Sequence, residues 1–290
     1  MDGILIINKS KGVTSHDIAQ KLKKITNEKI GHTGTLDPLA TGVLPLLIGK
    51  ATKISKYLIE HDKIYEGTIK LGEKTDTGDS EGKVILQKEV DLKNVEENDI
   101  REILKFFLGK QKQTPPIYSA IKVNGKKLYQ YARENKEVEI PKREIEIYKI
   151  ELLNYNKTQK EIVFKVHCSK GTYIRTLCED ISEKLGTVGY MSQLNRIQVG
   201  CFNIENSITI EQILENENKE IFLKNNIITI EQFFKDMPII FLNEKELELF
   251  LNGVKLTENK PDGIYQITEN GKWIGLGIIE NRKLKRDVVL

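Results

Sequence analysis

The segment 31–45, GHTGTLDPLATGVLP, restricts the folding of this chain more than any other part of its 290 residues. It places Asp37 directly before a proline, and sterics drive a residue in that position out of the helical conformation. Glycines on both sides allow tight bends and a close approach of other backbone segments. An isolated Asp-Pro pair would more simply be a turn. The full segment instead predicts a rigid loop that presents the Asp37 carboxylate, with the His32 imidazole upstream.

Length and composition predict a globular protein with one large and one smaller domain. Hydrophobic residues make up 39% of the chain and charged residues 30%, and no apolar run approaches the roughly 18 residues that a membrane-spanning helix needs. An acid follows Met1 where a secretion signal would be basic, so we expect no signal peptide. The three cysteines lack C-x-x-C spacing. They predict reduced thiols in a cytoplasmic protein, without a disulfide framework or a zinc site.

The net charge of +3 does not by itself indicate a nucleic-acid partner. Its distribution is more informative, because residues 1–60 hold nine Lys or Arg against five Asp or Glu, whereas residues 205–260 hold six against eleven. A basic N-terminal part is compatible with contacts to phosphates. Solvated helix surfaces explain the same counts nearly as well.

Hydrophobic periodicity predicts a mixed α+β chain. Apolar runs and alternation predict strands at residues 3–7, 43–48, 65–71, 84–86 and 162–166. Helical spacing of apolar residues predicts helices around residues 18–25, 50–59, 100–108 and 174–185. Two T-x-x-Q sequences, beginning at Thr209 and Thr229, predict helix starts. Pro238 marks a boundary, followed by a helix ending at Gly253 and short strands around residues 264–267, 273–279 and 288–290.

Competing motifs fail on spacing. Gly49-Lys50 has Leu44 in place of the first glycine of a phosphate-binding loop and Ala51 in place of its Ser or Thr. The four histidines show no metal-ligand spacing, so no metal site is predicted.

The loop 31–45 resembles the catalytic loop of the tRNA pseudouridine-55 synthases, the TruB family. Residues 168–176, CSKGTYIRT, resemble the second signature of that family, and residues 63–65 carry its active-site tyrosine. Residues 271–277, GKWIGLG, resemble the core of a PUA-like RNA-binding module. The resemblance implies an α+β fold with a mainly antiparallel sheet, a catalytic domain over residues 1–235 and a PUA-like domain over residues 236–290.

By this resemblance, the enzyme isomerises the uridine at position 55 in the T-loop of tRNA after flipping that nucleotide out of its stack. Asp37 would attack the nucleoside, Tyr65 would stack on the base or help to transfer a proton, and Arg175 would pair with Asp37. Whether Asp37 attacks the sugar or the base, or the reaction passes through a glycal, stays open. The isomerisation is redox-neutral and uses no group donor, so we expect no cofactor.

Other site residues are implied by the resemblance, and each also has a structural explanation. His32 would help to hold the T-loop open, or it would brace the loop. Asp79 would contact the target loop as an acceptor for a base edge. Tyr173 and Leu194 would line the pocket, although core packing explains Leu194 equally well. Lys9 would contact RNA, although Ser10 replaces the proline that usually follows it.

The insertion at about 115–149 matches the family segment that closes over the RNA stem-loop. Residues 120–149 hold eight Lys or Arg against five Asp or Glu, interleaved with tyrosines, which suits phosphate contact and stacking. Lys122, Lys126 and Lys127 are the predicted RNA contacts. We expect a monomer that acts on the T-arm of tRNA without a protein partner or a membrane. A non-catalytic RNA-binding protein, a guide-RNA-dependent synthase and an N-glycoside hydrolase are the alternatives.

Overall fold

The secondary structure is taken from a computed structural model in which residues 1–134 and 136–289 are described. The strands are β1 (Gly3–Lys9), β2 (Ile30–His32), β3 (Thr41–Ile48), β4 (Lys63–Leu71), β5 (Glu73–Thr75), β6 (Val84–Gln87), β7 (Gly109–Gln113), β8 (Lys122–Val123), β9 (Lys126–Lys127), β10 (Arg143–Asn156), β11 (Glu161–Cys168), β12 (Gly189–Val199), β13 (Phe202–Asn203), β14 (Ile239–Phe241), β15 (Leu256–Thr257), β16 (Gly263–Glu269), β17 (Lys272–Glu280) and β18 (Lys283–Val289). The α-helices are α1 (Ser15–Thr26), α2 (Ser55–Ile59), α3 (Glu97–Lys105), α4 (Leu128–Arg133), α5 (Ile174–Lys184), α6 (Ile210–Glu215), α7 (Lys219–Asn226), α8 (Ile230–Phe234) and α9 (Glu244–Leu251). Two 3₁₀ helices span Gly49–Ile54 and Ile204–Asn206.

A large sheet organises the N-terminal part of the molecule. Its strand order is β1-β3-β12-β4-β11-β10-β7, with β2 paired to β3 and β13 paired to β12. Neighbouring strands are antiparallel except for β3 and β12, which are parallel. The predicted α+β class with a mainly antiparallel sheet is therefore present.

Both faces of this sheet are buried at β1 and β3, and β1 shows how. Leu5 and Ile7 belong to a hydrophobic cluster that also holds residues of α1, α3 and α5. Ile4 and Ile6 belong to a second cluster on the opposite face. Since successive side chains of a strand point to opposite faces, a continuous apolar run is the pattern that a doubly covered strand requires.

A second sheet, in the order β14-β16-β17-β18-β15, forms the C-terminal part. It has a hydrophobic cluster of its own, built from residues after Pro238. Two of its residues, Leu276 and Val288, instead join the cluster on the face of the large sheet that Ile4 and Ile6 occupy. The two sheets thus share buried apolar surface, and the division at residue 235 stays a prediction.

Capping chemistry places several helices where the sequence predicts them. Thr14 and Asp17 form a reciprocal capping box before α1, and Thr209 and Thr229 each do the same with the glutamine three residues later, at α6 and α8. Each box satisfies backbone N–H groups that the first helical turn leaves without partners.

Two boundaries differ from prediction. Residues 50–59 are not one helix, because a 3₁₀ helix (Gly49–Ile54) precedes α2. Ala51 and Ile54 are both buried, and their three-residue spacing fits the tighter 3₁₀ turn.

The insertion predicted at about 115–149 overlaps the large sheet at its C-terminal end. Residues 143–147 pair with β7 within the large sheet, so the connection between β7 and β10 is 114–142. The predicted last strand coincides with the end of β18, and Leu290 lies outside the described residues.

Close backbone packing at Gly42 fixes β3 against β12. Its φ is +101°, and a Cβ atom there would lie 2.2 Å from the carbonyl oxygen of Arg196. Gly253 has a similar φ of +82°, but a Cβ atom there would meet nothing within 4 Å. Gly253 therefore serves as a matched control for backbone conformation alone.

We predict that Gly42→Ala destabilises the protein more than Gly253→Ala does. Both variants bear the cost of a left-handed backbone, but only Gly42→Ala adds overpacking, which typically costs about 1–3 kcal/mol. Urea unfolding of both variants gives the two free energies of unfolding. Equal losses would show that β3 and β12 do not need this close approach.

Candidate active site

Helix α1 and the turn before it hold the loop that carries Asp37, through both side-chain and backbone hydrogen bonds. Ser15, at the start of α1, donates to the carbonyl of Leu36 at 3.2 Å and accepts from its N–H at 2.9 Å. The N–H of Gly12 donates to the carbonyl of Pro38 at 2.9 Å, and the N–H of Ala40 donates to the carbonyl of Asp37 at 3.0 Å. The rigid loop predicted from the Asp-Pro sequence is therefore tied down on both sides of Asp37.

Arg175 connects this loop to the first turn of α5. Its Nε lies 3.1 Å from Oδ2 of Asp37, and its Nη1 lies 3.6 Å from Oδ2 of Asp79. Its remaining donors bind backbone, with Nη1 donating to the carbonyl of Thr77 and Nη2 to that of Tyr118, both at 3.0 Å. A cation in a first helical turn is unfavourable against the helix dipole. The carboxylates of Asp37 and Asp79 compensate the positive charge of Arg175 at this position.

Gln113, at the end of β7, fixes the start of α5. Its amide oxygen accepts from the N–H of Tyr173 at 2.8 Å, and its amide nitrogen donates to the carbonyl of Tyr173 at 3.0 Å. Gln113 is buried, so this pair of bonds is shielded from water. Tyr173 is the N-cap residue of α5, and fixing its backbone also fixes the direction in which Arg175 leaves the helix.

A cavity of about 110 Å³ lies beside the ion pair. Asp37 and Arg175 form one part of its wall, and Tyr65, Tyr173 and Leu194 form the remainder together with their neighbours. Tyr65 and Leu194 come from β4 and β12, which are adjacent strands of the large sheet. The structure thus brings together four separate segments of the chain, which carry Asp37, Tyr65, the Tyr173 and Arg175 pair, and Leu194, in a cleft with one carboxylate, one guanidinium and two aromatic rings.

Burial raises the pKa of the Asp37 carboxyl above its ordinary value, and the Arg175 guanidinium opposes that rise. Asp79 raises the pKa further by like-charge repulsion, while Lys9 lowers it. An unpaired carboxylate in this position would be driven towards the neutral acid. Arg175 is the largest influence that keeps Asp37 ionised.

Asp79 is buried, and its Oδ1 accepts from the Thr77 hydroxyl at 2.7 Å and from the Glu81 N–H at 3.1 Å. Its other oxygen faces Arg175. Asp79 thus lies beside a different nitrogen of Arg175 from the one that Asp37 contacts, and its contact with the target loop stays a prediction.

Lys9 is fully buried, and its ammonium donates to the carbonyls of Ser10, Val13 and Pro38 at 3.0, 2.7 and 3.2 Å. Burial lowers its pKa to about 8. With its donors bound to backbone, Lys9 acts as a brace for the loop. Its contact with RNA stays a prediction.

The remaining predicted contacts are not among the residues that line the cavity, and they stay predictions. His32 is in β2, half-buried, with its pKa lowered by burial and by Arg196. Lys122 is exposed on the hairpin of β8 and β9. Lys126 pairs with Glu134, and Lys127 lies over the Tyr129 ring at 5.6 Å.

Two buried residues of the site went unrecognised in the sequence. Gln113 is the first, and its sequence context gave no signal for it. Arg196 is the second, and it is 1% exposed. A signal did exist for Arg196, because it lies two residues from Leu194 on the same strand and therefore faces the same side of the sheet.

Within residues 1–134 and 136–289, no group of three His, Cys, Asp or Glu side chains is arranged to hold a metal ion. No helix in that part of the chain has the length and apolar character to cross a membrane.

The fold and the carboxylate–arginine pair define the class of pseudouridine synthases. Residues 22–174 match the model of the TruB family pseudouridylate synthase N-terminal domain, and residues 175–235 match that of the tRNA pseudouridylate synthase B C-terminal domain. The chain therefore belongs to the TruB family and is a pseudouridine synthase.

Individual relatives agree with this assignment. A protein of Caldanaerobacter subterraneus named tRNA pseudouridine synthase B is 43% identical over 289 residues, covering 98% of both chains. One of Staphylococcus aureus with the same name is 43% identical over 90% of this chain and 87% of its own. Among solved structures, a chain of a Cbf5-Nop10-Gar1 complex matches with a TM-score of 0.70 and 26% identity, covering 99% of this chain and 83% of that chain.

We predict that Lys9→Met lowers both stability and isomerase activity. The methionine keeps most of the apolar packing, but it leaves the carbonyls of Ser10, Val13 and Pro38 without their charged donor, a loss of about 1–3 kcal/mol. Lys11→Met, at an exposed neighbouring lysine, is the matched control. Urea unfolding gives the free energy of unfolding of both variants. Equal stability of the two variants would contradict a bracing role for Lys9.

Proposed function

We propose that this enzyme isomerises the uridine at position 55 in the T-loop of tRNA, in the cytoplasm and without a protein partner, through attack by Asp37 on the flipped-out nucleotide. The observation that carries the proposal is the 3.1 Å contact between Arg175 and Asp37 at the wall of a cleft. The names of the relatives support tRNA as the substrate. The three free cysteines suit a reducing compartment.

The reaction sets clear requirements for the site. The N-glycosidic bond between C1′ and N1 breaks, the base turns, and a bond between C1′ and C5 forms. One proton leaves C5 and one is gained at N1, so the product has the composition of the substrate. A carboxylate that bonds to the nucleotide holds the two parts together while the base turns. Asp37 is the carboxylate that the cleft presents for this task.

The environment of Asp37 suits a nucleophile. The carboxylate is only partly buried, with its side chain 37% exposed, and Arg175 keeps it charged despite that partial burial. Arg175 is itself held by Asp79 and by two backbone carbonyls, so its orientation does not depend on Asp37 alone. The carboxylate is thereby preorganised, which lowers the cost of reaching the reactive geometry.

Tyr65 supplies an aromatic face and a hydroxyl at the same cavity. It is buried in the wall, and burial raises the pKa of its phenol. A neutral phenol can stack on an everted base and donate a hydrogen bond to it. Leu194 and Tyr173 would complete an apolar and aromatic enclosure for the base.

RNA would approach over the segment that connects β7 and β10. Lys122, Lys126 and Lys127 lie on this segment beside tyrosine side chains. Arg175 reaches the base of the segment through the carbonyl of Tyr118. The sheet of residues 239–289 would provide a second RNA-binding surface, as a PUA-like module.

We predict that Asp37→Asn abolishes tritium release from tRNA labelled at C5 of uridine, while tRNA binding persists. The amide keeps the size of the side chain but removes its charge and nucleophilicity. Asp236→Asn, at an exposed aspartate, is the matched control. The assay uses an unmodified T-arm stem-loop RNA without other proteins or guide RNA.

The outcomes of this assay separate the alternatives. Full activity of Asp37→Asn would contradict nucleophilic attack by Asp37. Binding without isomerisation by the wild-type protein would indicate a non-catalytic RNA-binding protein. Activity only with an added guide RNA would indicate a guide-dependent enzyme. Release of free uracil would indicate a hydrolase.

We predict that Arg175→Met moves the acid limb of the pH–rate profile to higher pH. The carboxylate is the active form of Asp37, so the rate falls as pH drops through its pKa. Removing the guanidinium removes the main influence that lowers this pKa, and the pKa must rise. Arg101→Lys, on the exposed face of α3, is the control. An unmoved acid limb in Arg175→Met would show that Arg175 does not set the ionisation of Asp37.

A further inference from the structure

Arg196 is a buried arginine between the strands that carry the candidate site. It lies on β12 and is 1% exposed. Its Nε donates to the carbonyl of Val43 at 2.8 Å, and its Nη2 donates to the carbonyl of Gly34 at 2.9 Å. Gly34 is in the same loop as Asp37, three residues earlier. The guanidinium therefore binds both β3 and the catalytic loop.

No carboxylate of the described chain forms an ion pair with Arg196, although Arg175 has two such partners. A buried charge without an ionic partner is costly, and backbone carbonyls compensate only part of that cost. Its positive charge shifts the pKa of neighbouring groups. After burial, it is the main influence that lowers the pKa of Lys63, to about 8. A neutral side chain could fill this space more cheaply, so the position calls for an explanation beyond packing.

The strand register supplies an explanation for the charge at position 196. Arg196 pairs directly with Tyr65 across β12 and β4. Side chains of directly paired residues lie on the same face of a sheet, with Cβ atoms about 4.5–5.5 Å apart. The guanidinium also acts on the phenol of Tyr65, where it opposes the rise in pKa that burial causes. Arg196 is thus the cation that lies nearest the Tyr65 hydroxyl along the strand pair.

A guanidinium has five N–H donors and no acceptor. Two of the donors of Arg196 bind the carbonyls of Val43 and Gly34, which leaves others to face Tyr65. A phenolic oxygen that accepts from a guanidinium must direct its own hydrogen elsewhere. In this structure the other side of Tyr65 is the cavity that Asp37 lines.

We propose that Arg196 is a positioning residue that donates to the Tyr65 oxygen, directs the Tyr65 hydroxyl hydrogen into the cavity and holds the Gly34 end of the catalytic loop. This inference rests on the proposed function, because it assumes that Tyr65 and Asp37 act on the nucleotide. Arg196 would then align both the Tyr65 hydroxyl and the loop that carries Asp37.

Arg196→Lys tests the proposal in a double-mutant cycle. Lysine keeps the charge but cannot bind two carbonyls and a phenol with a planar fork. In single-turnover reactions on T-arm RNA, we expect the rate to fall at least about tenfold, with the RNA dissociation constant changed less than about threefold. In a Tyr65→Phe background, the same substitution should cost clearly less than in the wild-type background, because the target hydroxyl is already absent and only the hold on the Gly34 end of the loop remains to be lost.

Tyr173→Phe provides the matched control background. Tyr173 lines the same cavity, but Arg196 is not among the charges that act on its phenol. Arg196→Lys should retain its full effect there. Equal losses in the Tyr65→Phe, Tyr173→Phe and wild-type backgrounds would overturn the proposal.

Stability gives a second test that leaves Arg196 unchanged. If the guanidinium donates to the Tyr65 oxygen, Tyr65→Phe strands a buried N–H group and lowers the urea midpoint, although phenylalanine is the more apolar residue. An unchanged or higher midpoint would overturn the proposal even if Arg196→Lys fails to fold.

The failure of this inference is distinguishable from failure of the proposed function. A Tyr65→Phe variant that isomerises at the wild-type rate would overturn the role of Tyr65, and the inference on Arg196 with it. A slow Tyr65→Phe variant whose loss multiplies with that of Arg196→Lys would overturn the inference on Arg196 alone.

Discussion

The ion pair between Arg175 and Asp37 is the interaction on which the site depends. It joins a loop near the N-terminus to the first turn of α5, across the large sheet. Burial alone would favour the neutral form of Asp37, and the guanidinium opposes this. Arg175 is buried, and a buried charge that loses an ionic partner is destabilised. The same ion pair therefore keeps the carboxylate charged and holds its loop against α5.

Much of the remaining structure keeps these two groups in place. Gln113 fixes the backbone at Tyr173, and Asp79 faces Nη1 of Arg175. Lys9 binds the carbonyl of Pro38 from inside the protein. A charged group that can neither move nor rehydrate is preorganised for reaction, and such preorganisation is a major source of enzymatic rate enhancement. The supporting side chains come from separate parts of the chain, so the sheet must form before the site exists.

Local sequence predicted what local physics decides. Pro38 predicted the rigid presentation of Asp37, and alternation predicted the strand that carries Tyr65, whereas the pairing of Arg175 with Asp37 was implied by the family resemblance. Contacts set by strand register could not be predicted this way. Lys9 was expected at RNA, and its hydrogen bonds to three carbonyls were not predicted. Arg196 was overlooked because its partners lie more than 150 residues away in sequence.

A crystal structure of the protein with a T-arm stem-loop that carries 5-fluorouridine at the target position tests the central claim most directly. The account predicts that the nucleotide is everted into the cavity, with the Asp37 carboxylate against it and Arg175 Nε still in hydrogen-bond contact with Asp37. A nucleotide seated elsewhere, or an Asp37 turned away from both the nucleotide and Arg175, would contradict the account.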